Sequence, residues 1–234
     1  MSGTVGGAIA IFVKTPGYSA VKTRLAASVG AAVAVDWHVR AARTVAAVSR
    51  AAAAATGAVV YWAVAEADAI AAGAWDALPS LAQGDGGLGA RMGRVHAELV
   101  RRHGAGILLG ADAPQLAAGE LSDALAWCAA AEPHQALGPA HDGGFWLYGA
   151  NRATVVARWE EVAYSWPDTA DRFRATFGDY GAWRVLSTLT DLDRRDDVPA
   201  MDYELGRVLA PLPEQQALRA WLASTFADEG TGRS

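Results

Sequence analysis

One aspartate, Asp112, stands where a buried strand is predicted to end. It follows the apolar run "GILLG" and Ala111, and Pro114, two residues later, stops a strand and fixes the backbone. A carboxylate in this position can cap the next element. It can also bind a hard cation, since Mg²⁺ is usually held by one or two carboxylates together with phosphate oxygens and water. Asp112 is therefore a candidate metal ligand, with the capping role as the alternative.

Three basic side chains surround the segment "KTPGYSAVKTRLA", which leaves the first predicted strand and enters a helix. Lys14, Lys22 and Arg24 favour an anion site here, because cations and helix N-terminal amides together bind phosphate. A P-loop is excluded, since Val21 replaces its second glycine and the loop is one residue short. The alternative is a set of surface cations around an ordinary turn. The other residues predicted to line this phosphate site are Thr15, Pro16, Gly17 and Thr23.

Two further segments carry aspartates. In "GPAHDGGFWLYG", Asp142 lies between His141 and the pair Gly143–Gly144, where bare glycines let a backbone approach a ligand closely. The same residues predict a hairpin turn, so the open question is whether the turn faces a site. In "TDLDRRDDV", Asp191 and Asp193 alternate and share one face of an extended segment. A solvated acidic loop is the default interpretation of that second segment.

The glycines of "GDGGLGARM" have the G-x-G-x-x-G spacing of a dinucleotide-binding turn, at Gly84, Gly86 and Gly89. That mechanism also needs a buried strand that leads into the turn and an acidic ribose ligand about 20 residues later. The sequence predicts no buried strand before Gly84. We therefore interpret the spacing as a coincidence.

These residues must be positioned by alternating strands and helices. Apolar runs predict strands at 8–14, 58–65, 106–112, 134–140 and 144–150, and helical patterns predict helices at 22–55 (with Gly30 interrupting), 67–77, 90–103 and 120–131, with a further helix after "VAYSWPDT". This alternation predicts an α/β fold, a three-layer αβα sandwich around a mainly parallel sheet. We expect one domain over residues 1–225, followed by a frayed tail at 226–234.

Composition excludes several classes of protein. The chain has 234 residues, 52% of them hydrophobic, and a formal net charge of -5. An acidic chain without a basic patch argues against nucleic-acid and anionic-membrane partners. The one cysteine, Cys128, allows no intrachain disulfide and suits a reducing compartment. The N-terminus does not have the pattern of a signal peptide, and the longest apolar stretch, 51–65, is too short to span a bilayer. We expect a soluble, cytoplasmic protein.

Five segments together resemble one bacterial family. The segments "FVKTPGYSAVKTRLA", "QGDGGLGARM", "LLGADAPQL", "GPAHDGGFWLYG" and "LTDLDRRDDV" occur in the order found in the glycosyltransferase-like family labelled radical-SAM/selenodomain-associated transferase. Typical members have "K-T-R-L", "Q-x-G-x-L-G-x-R-M", "G-T-D-C-P", "G-P-A-x-D-G-G-Y" and "D-x-D-T-P-E-D-L". The match runs from Ala8 to Val198. It implies the fold of the nucleotide-diphospho-sugar transferases, known as GT-A.

The resemblance also implies roles for individual residues. Asp112 would bind Mg²⁺ or Mn²⁺ and Asp193 would be the second metal ligand, while the "KTRL" loop would hold the nucleotide phosphates. Gln83 and Gly84 resemble the strip that reads the base, and Gly89 and Arg91 open the helix behind it. The turn with Asp142, Gly143 and Gly144 would lie at the sugar or acceptor. If the reaction inverts the sugar, Asp142 is the first candidate for the general base and His141 the second.

The implied activity is metal-dependent transfer of a sugar from a nucleotide-diphosphate sugar to a small-molecule acceptor, with Lys22 and Arg24 stabilising the leaving nucleotide. A nucleotidyltransferase that releases pyrophosphate is the alternative, and an inactive nucleotide-binding subunit is a third. The chain departs from the family at Ala111 and Ala113, which replace a threonine and a cysteine, and at Arg194–Asp197, which replace "T-P-E-D". The acceptor and the oligomeric state stay open, and a homo-oligomer is compatible with the sequence.

Overall fold

The structure is a computed structural model and describes residues 6–227. Within that range the strands are β1 (Ala8–Val13), β2 (Val59–Val64), β3 (Ser80–Ala82), β4 (Gly106–Gly110), β5 (His134–Pro139), β6 (Phe145–Ala150) and β7 (Ala182–Val185). The helices are α1 (Thr23–Val29), α2 (Ala31–Thr56), α3 (Ala67–Ala71), α4 (Leu88–His103), α5 (Ala118–Cys128), α6 (Val156–Glu160), α7 (Thr169–Thr176), α8 (Val198–Gly206) and α9 (Pro213–Thr225).

The strands form one sheet in the order β3-β2-β1-β4-β6-β5-β7. Strand β6 runs antiparallel to both of its neighbours, β4 and β5, and every other pair is parallel. The short turn between β5 and β6 explains the reversal, because two adjacent strands joined by a few residues must run antiparallel. The mainly parallel sheet predicted from the sequence is confirmed.

Helices cover both faces of the sheet. In β1, Ile9 and Ile11 belong to the core that contains Val45 of α2 and Leu125 of α5. The alternate residue Ala10 faces the opposite core, which contains side chains of α4, α6 and α7. A strand covered on both faces needs an apolar residue at every position, which is why β1 reads as an unbroken apolar run. The predicted three-layer sandwich is confirmed.

The long N-terminal helical segment is two helices. Gly30 ends α1 and begins α2 with φ 86°, a conformation that favours glycine. Helices α8 and α9 pack on the far side of α1 and α2, where Leu25, Trp37 and Leu218 form a separate apolar cluster. This packing fixes the start of α1, and with it Lys22 and Arg24, against the rest of the molecule.

Several boundaries differ from the prediction. The predicted helix over 67–77 is wrong in its length, since α3 ends at Ala71 and Trp75 in the following segment inserts into the core. Strands β3 and β7 were not predicted, because strands of three and four residues at the sheet edges are too short for a hydrophobic pattern. Helices α6, α8 and α9 were also not predicted. Helix α9 ends at Thr225, and residues 228–234 of the predicted tail lie outside the described residues.

Strand β3 is the element that precedes the glycine-rich turn at Gly84. It leads directly into Gln83 and Gly84, and α4 begins four residues after Gly84, so the turn does join a strand to a helix. However, β3 is a short edge strand whose residues are partly or fully exposed. Gly84 is therefore not preceded by the buried strand that a dinucleotide-binding turn requires. None of the helices within residues 6–227 is long and apolar enough to cross a membrane.

Candidate active site

Two adjoining cavities lie beyond the ends of β1 and β4. We call the first the cationic cavity, after Lys14, Lys22, Arg24 and Arg91 in its walls; its volume is about 370 Å³. We call the second the acidic cavity, after Asp142, Asp191 and Asp193; its volume is about 470 Å³. Arg24, Leu88 and Asp193 line both. Open α/β sheets bind ligands in this region, beyond the carboxyl ends of the strands.

The basic side chains of the cationic cavity come from three elements. Lys14 directly follows β1, Lys22 and Arg24 stand at the start of α1, and Arg91 lies in the first turn of α4. Arg91 Nε donates a hydrogen bond to Gly86 O at 2.9 Å, which ties this guanidinium to the glycine-rich turn. Four cations facing the carboxylates of Asp112 and Asp193 leave an excess of positive charge, which suits a polyanionic ligand such as a diphosphate.

Lys22 is the most constrained of these cations. Its backbone is left-handed, with φ 45° and ψ 44°, which is unusual for a residue other than glycine. Its Nζ lies 2.7 Å from Asp193 Oδ1 and 3.2 Å from Asp112 Oδ2, and the side chain is only 5% exposed. Burial lowers the pKa of Lys22, but the carboxylates of Asp112 and Asp193 outweigh burial and raise its pKa above the ordinary value. The ammonium is therefore charged and bridges the two carboxylates.

Asp112 lies between Lys22, which contacts it, and His38. His38 Nε2 lies 2.9 Å from Lys14 O, and since a carbonyl only accepts, Nε2 must carry the proton. The other ring nitrogen, Nδ1, lies 4.0 Å from Asp112 Oδ1. Within residues 6–227, that buried oxygen of Asp112 has no hydrogen-bond partner. His38 is thus hydrogen-bonded to the end of β1 and lies beside Asp112 without a hydrogen bond to it, and Oδ1 of Asp112 is a buried oxygen with no partner among the described residues.

The acidic cavity is built largely from loops. Asp142 stands in the turn between β5 and β6, where its Oδ1 accepts a hydrogen bond from Gly144 N at 2.8 Å. An aromatic wall faces it, formed by Phe145, Tyr164 and Trp166, and the Trp166 side chain is 61% exposed. The cavity therefore combines carboxylate acceptors with flat apolar surfaces.

Gly143 holds the turn against the loop before α7. Its φ is 88°, and a Cβ built at this position would lie 1.8 Å from Pro167 O. Gly143 O accepts a hydrogen bond from Ala170 N at 2.9 Å. Only glycine allows this approach, so the sequence fixes the distance between Asp142 and the aromatic wall.

Asp191 lies deeper in the acidic cavity than Asp193. Burial first, and then the carboxylate of Asp112, raise the pKa of Asp191 to about 8, although Lys22 lowers it. For Asp193, burial also raises the pKa, but Lys22 and then Arg24 outweigh it and the pKa is lowered. Two aspartates two residues apart therefore have opposite protonation preferences, because only Asp193 touches the cations.

Glu204 of α8 connects the loops that carry these aspartates. Its carboxylate accepts hydrogen bonds from Thr190 N at 3.0 Å, from Thr190 Oγ1 at 2.6 Å and from Gln115 Nε2 at 2.9 Å. Gln115 Nε2 also donates to Thr190 O at 2.8 Å. Thr190 precedes Asp191, and Gln115 follows Asp112 by three residues. One partly buried network thus connects the segment after Asp112 to the segment that carries Asp191 and Asp193.

Most of the predicted site residues line the cavities. Those that do are Lys14, Lys22, Thr23, Arg24, Gln83, Arg91, Asp112, Asp142, Gly144 and Asp193. Gln83 is almost fully buried, and its amide donates to Val13 O and Ala63 O, so it holds β1 and β2 together at the cavity floor. The remaining predicted residues are not in the walls of either cavity. These are Thr15, Pro16, Gly17, Gly84, Gly89, His141 and Gly143.

The structure gives some of these outlying residues other contacts. Thr15 is buried, its hydroxyl accepts a hydrogen bond from Trp75 Nε1 at 3.0 Å, and its backbone N donates to Glu66. Gly89 lets α4 pack closely on the carbonyl of Trp159. His141 is 63% exposed, with its Nε2 3.9 Å from Glu204 Oε1, outside the acidic cavity. Asp142 is therefore better placed than His141 to act as a base in the acidic cavity.

Three residues of the site, His38, Asp191 and Glu204, were not selected from the sequence. His38 lies in the middle of α2 and Glu204 in the last turn of α8, and a single polar residue in a helix carries no signal of its own. Asp191 was noted beside Asp193 but not chosen, because spacing alone does not tell which of two aspartates on one face reaches the cations. The aromatic residues Tyr164 and Trp166 were not selected from the sequence either.

The residues present fit a divalent cation that is shared with a ligand. Asp112 supplies a buried carboxylate oxygen without a hydrogen-bond partner, and hard oxygens are what Mg²⁺ and Mn²⁺ prefer. Among residues 6–227, however, no group of three or more His, Cys, Asp or Glu side chains is arranged to hold a metal ion. Asp112 and Asp193 would therefore hold the cation only together with ligand oxygens and water.

Comparisons with known proteins give a family and a fold. The family model described as "Uncharacterized protein conserved in bacteria (DUF2064)" matches residues 44–166. Among solved structures, the chain is similar to a protein from Desulfovibrio desulfuricans G20 that carries a provisional assignment as a nucleotide-diphospho-sugar transferase. The two are 21% identical with a TM-score of 0.66, and the match covers 92% of this chain and 97% of that chain. This likeness shows that the two proteins share the fold.

Two weaker similarities complete the comparison. A CMP:2-keto-3-deoxy-manno-octonic acid synthetase complexed with CTP is 13% identical, with a TM-score of 0.48 over 93% of this chain and 98% of that chain. Rv0371c from Mycobacterium tuberculosis H37Rv is 17% identical, with a TM-score of 0.48 over 82% of this chain and 96% of that chain. No curated protein matches the chain significantly.

Proposed function

This chain belongs to the DUF2064 family, and from that premise we propose that it is a divalent-cation-dependent glycosyltransferase, which moves a sugar from a nucleotide-diphosphate sugar to a small-molecule acceptor. The observation that carries the proposal is the pair of adjoining cavities, one cationic and one acidic, with Arg24 and Asp193 in their common wall. The resemblance of the five motifs to the selenodomain-associated transferases and the shared nucleotide-diphospho-sugar transferase fold support it.

The two cavities have the chemistry that such a transfer needs. The diphosphate of the donor requires several cations, which Lys14, Lys22, Arg24 and Arg91 supply. The sugar and the acceptor require hydroxyl-binding carboxylates and flat apolar surfaces, which the acidic cavity supplies. Each cavity is within the range of about 300–1,000 Å³ that small-molecule sites have. The bond that breaks would lie at the common wall, beside Arg24 and Asp193.

Individual residues would act as follows. Lys22 and Arg24 stabilise the negative charge that develops on the departing nucleoside diphosphate. Asp142 accepts the proton of the acceptor hydroxyl from the acidic cavity. Asp112 and Asp193 would hold Mg²⁺ or Mn²⁺, which when bound supplies Lewis-acid neutralisation of the diphosphate. Glu204 positions the 190–193 segment without touching the substrate, and His38 lies beside Asp112 in the wall of the cationic cavity.

The first test is thermal denaturation of the protein with UDP, GDP, CDP, ADP, their triphosphates and common nucleotide sugars, with and without Mn²⁺. A ligand at a hundred times its Kd stabilises the folded state by about 2.7 kcal/mol, which raises the Tm by roughly 5–10 °C for a domain of this size. We expect one family of diphosphates to give a manganese-dependent shift. Asp112→Asn should abolish it, while Asp36→Asn, which removes an exposed carboxylate of α2 paired with Arg40, should leave it intact.

Other outcomes would change the proposal. A preference for triphosphates over nucleotide sugars, with release of pyrophosphate, would replace it with a nucleotidyltransferase. Nucleotide binding without turnover that is unaffected by Asp142→Ala would indicate an inactive binding subunit. If no nucleotide shifts the Tm of folded protein, the proposed function is wrong and only the fold stands.

A further inference from the structure

The position between Asp112 and Asp193 is already filled by a cation of the protein itself. Lys22 Nζ makes contacts of 3.2 and 2.7 Å with these carboxylates, and its side chain is 5% exposed. These are the two aspartates that the proposed function assigns to a divalent cation. A metal ion bound to the same two oxygens would lie within a few ångströms of the ammonium, where like charges repel strongly in a partly buried site. The ammonium and the metal therefore compete.

The neighbouring groups explain why the Lys22 ammonium, and not a metal ion, occupies the position between the two carboxylates in the free protein. Two carboxylates supply only part of the about six oxygen ligands that Mg²⁺ or Mn²⁺ takes, and the rest must come from phosphate or water. Within residues 6–227 no third acidic, histidine or cysteine side chain completes a metal site with them. Arg24 Nη1, 3.5 Å from Asp193 Oδ2, adds a second positive charge. Without a ligand that brings further oxygens, the ammonium is the better partner for both carboxylates.

A diphosphate would change this balance. Its oxygens carry more negative charge than one carboxylate, and they would enter the cationic cavity that Lys22 lines. The lysine side chain is a flexible four-carbon stem with a compact charge, so its ammonium can move from a carboxylate to a phosphate without movement of the backbone. The oxygens of Asp112 and Asp193 would then be free, and the phosphate would supply some of the missing metal ligands.

We propose that Lys22 is a built-in substitute for the divalent cation: it closes the metal site in the free protein and gives it up only when a diphosphate draws the ammonium away. The metal and the nucleotide would therefore bind together, and the free protein would bind Mn²⁺ weakly. The second half of this inference rests on the proposed function. The first half, that Lys22 excludes the metal, can be tested without any nucleotide.

The experiment measures Mn²⁺ binding to the nucleotide-free protein by the electron paramagnetic resonance signal of free Mn²⁺. Lys22→Met removes the competing charge, so we expect it to bind Mn²⁺ about tenfold or more tightly than the wild type. Lys22→Gln should show the same gain, and its amide can still hydrogen-bond to the carboxylates if Lys22→Met does not fold. Circular dichroism establishes that each variant is folded.

Arg24→Met is the matched control. It removes the same charge from the same carboxylate, Asp193, but its side chain is 65% exposed and does not lie between the two aspartates. We expect it to change the Mn²⁺ affinity by less than about threefold, since exposed charges are screened by solvent. If both folded Lys22 variants bind Mn²⁺ no more tightly than the wild type, or if Arg24→Met gains as much as they do, the inference is wrong.

The outcome is independent of the proposed function. If the Lys22 variants gain Mn²⁺ affinity but no nucleotide stabilises the protein, the inference that Lys22 excludes the metal is supported and the proposed glycosyltransferase activity is rejected. If a nucleoside diphosphate raises the Tm in the presence of Mn²⁺ but the Lys22 variants bind Mn²⁺ no more tightly than the wild type, the proposed function is supported and the inference about Lys22 is rejected.

Discussion

The cationic and the acidic cavity adjoin, but they are built in different ways. The cationic cavity is formed where regular elements end, at β1, β4 and the first turns of α1 and α4. The acidic cavity is formed by the β5–β6 turn, the loop before α7 and the 190–193 segment, which pack on one another. Strand pairing fixes the first cavity, whereas a few loop-to-loop contacts fix the second. Substitutions should therefore disturb the two cavities separately.

The largest effect should come from Gly143→Ala. A Cβ at this position would meet Pro167 O at 1.8 Å, and the φ of 88° is unfavourable for alanine. Because backbone on both sides must move, we expect a loss of about 3 kcal/mol or more in the free energy of unfolding. Denaturant unfolding measures this loss. Nucleotide-induced shifts in Tm, which report on the cationic cavity, should persist in whatever fraction stays folded.

Gly17→Ala is the control for the backbone conformation alone. Gly17 has nearly the same φ, 87°, but nothing lies within 4 Å of the position of its Cβ. The cost should be only the 1–2 kcal/mol or so of a left-handed alanine. If the two variants are equally destabilised, the contact between the β5–β6 turn and Pro167 does not hold the acidic cavity, and the contrast between the cavities is weaker than we argue.

Asp142→Asn should separate catalysis from nucleotide binding. Asp142 lines only the acidic cavity, so its loss should reduce turnover of the identified donor by about 10²–10⁴-fold, the usual contribution of a general base. The Tm shift with the nucleoside diphosphate should not change. His141→Asn is the comparison, since His141 lies outside the cavity and should have little effect. If the two variants lose turnover equally, Asp142 alone is not the general base, and His141 shares that role.

The difference between the cavities also explains how much the sequence predicted. The end of β1, the start of α1 and the end of β4 follow from apolar periodicity and from Pro114. That Lys22, Arg24 and Asp112 act on the same ligand was implied by the family resemblance. The β5–β6 turn was predicted as a turn, from its glycines. That it faces the site depends on Pro167 and on β6 lying next to β4, and neither is encoded near Asp142 in the sequence.

The choice between Asp191 and Asp193 shows where sequence reasoning stops. Both aspartates lie on one face of an extended segment, and the pattern treats them alike. The cavity distinguishes them, because Lys22 and Arg24 contact Asp193 while Asp191 lies among other carboxylates. The contact between Lys22 and Asp193, 171 positions apart, depends on the packing of α1 and α8 in one apolar cluster, which no local pattern reports. The roles of His38 and Glu204 were missed for the same reason.

Glu204→Gln should weaken the link between the loops. Glu204 accepts from both Thr190 and Gln115, and an amide would turn one acceptor into a donor facing donors. We expect a loss of about 1–3 kcal/mol in the free energy of unfolding, together with weaker Mn²⁺-dependent nucleotide binding because Asp112 and Asp193 lose their common support. Asp202→Asn, on the same helix, removes an exposed pair with Arg219 and should cost less than about 1 kcal/mol. Identical effects of the two substitutions would contradict a positioning role for Glu204.

The smallest effect should be a pH dependence of stability caused by Asp191. Its pKa is raised from 3.8 to about 8 in the folded protein. Between these values the folded protein keeps a proton that the unfolded chain has lost, so this contribution to stability is complete below pH 3.8 and is lost as the pH rises through 8. Asp191→Asn has no carboxyl group to titrate, so the variant should not lose this stability as the pH rises. In EDTA, the variant should become more stable relative to the wild type by about 1–2 kcal/mol between pH 6.5 and 9.

The pH range starts at 6.5 so that the titration of a second buried group, His96, does not contribute to the measured change in stability. Burial in the core lowers the pKa of His96 from 6.5 to about 4, so its contribution is present above pH 6.5 and is lost only as the pH falls below that value. Above pH 6.5, a slope that Asp191→Asn abolishes therefore belongs to the acidic cavity. Parallel stability curves for variant and wild type would mean that Asp191 is ionised throughout, and that the acidic cavity is better solvated than its contacts indicate.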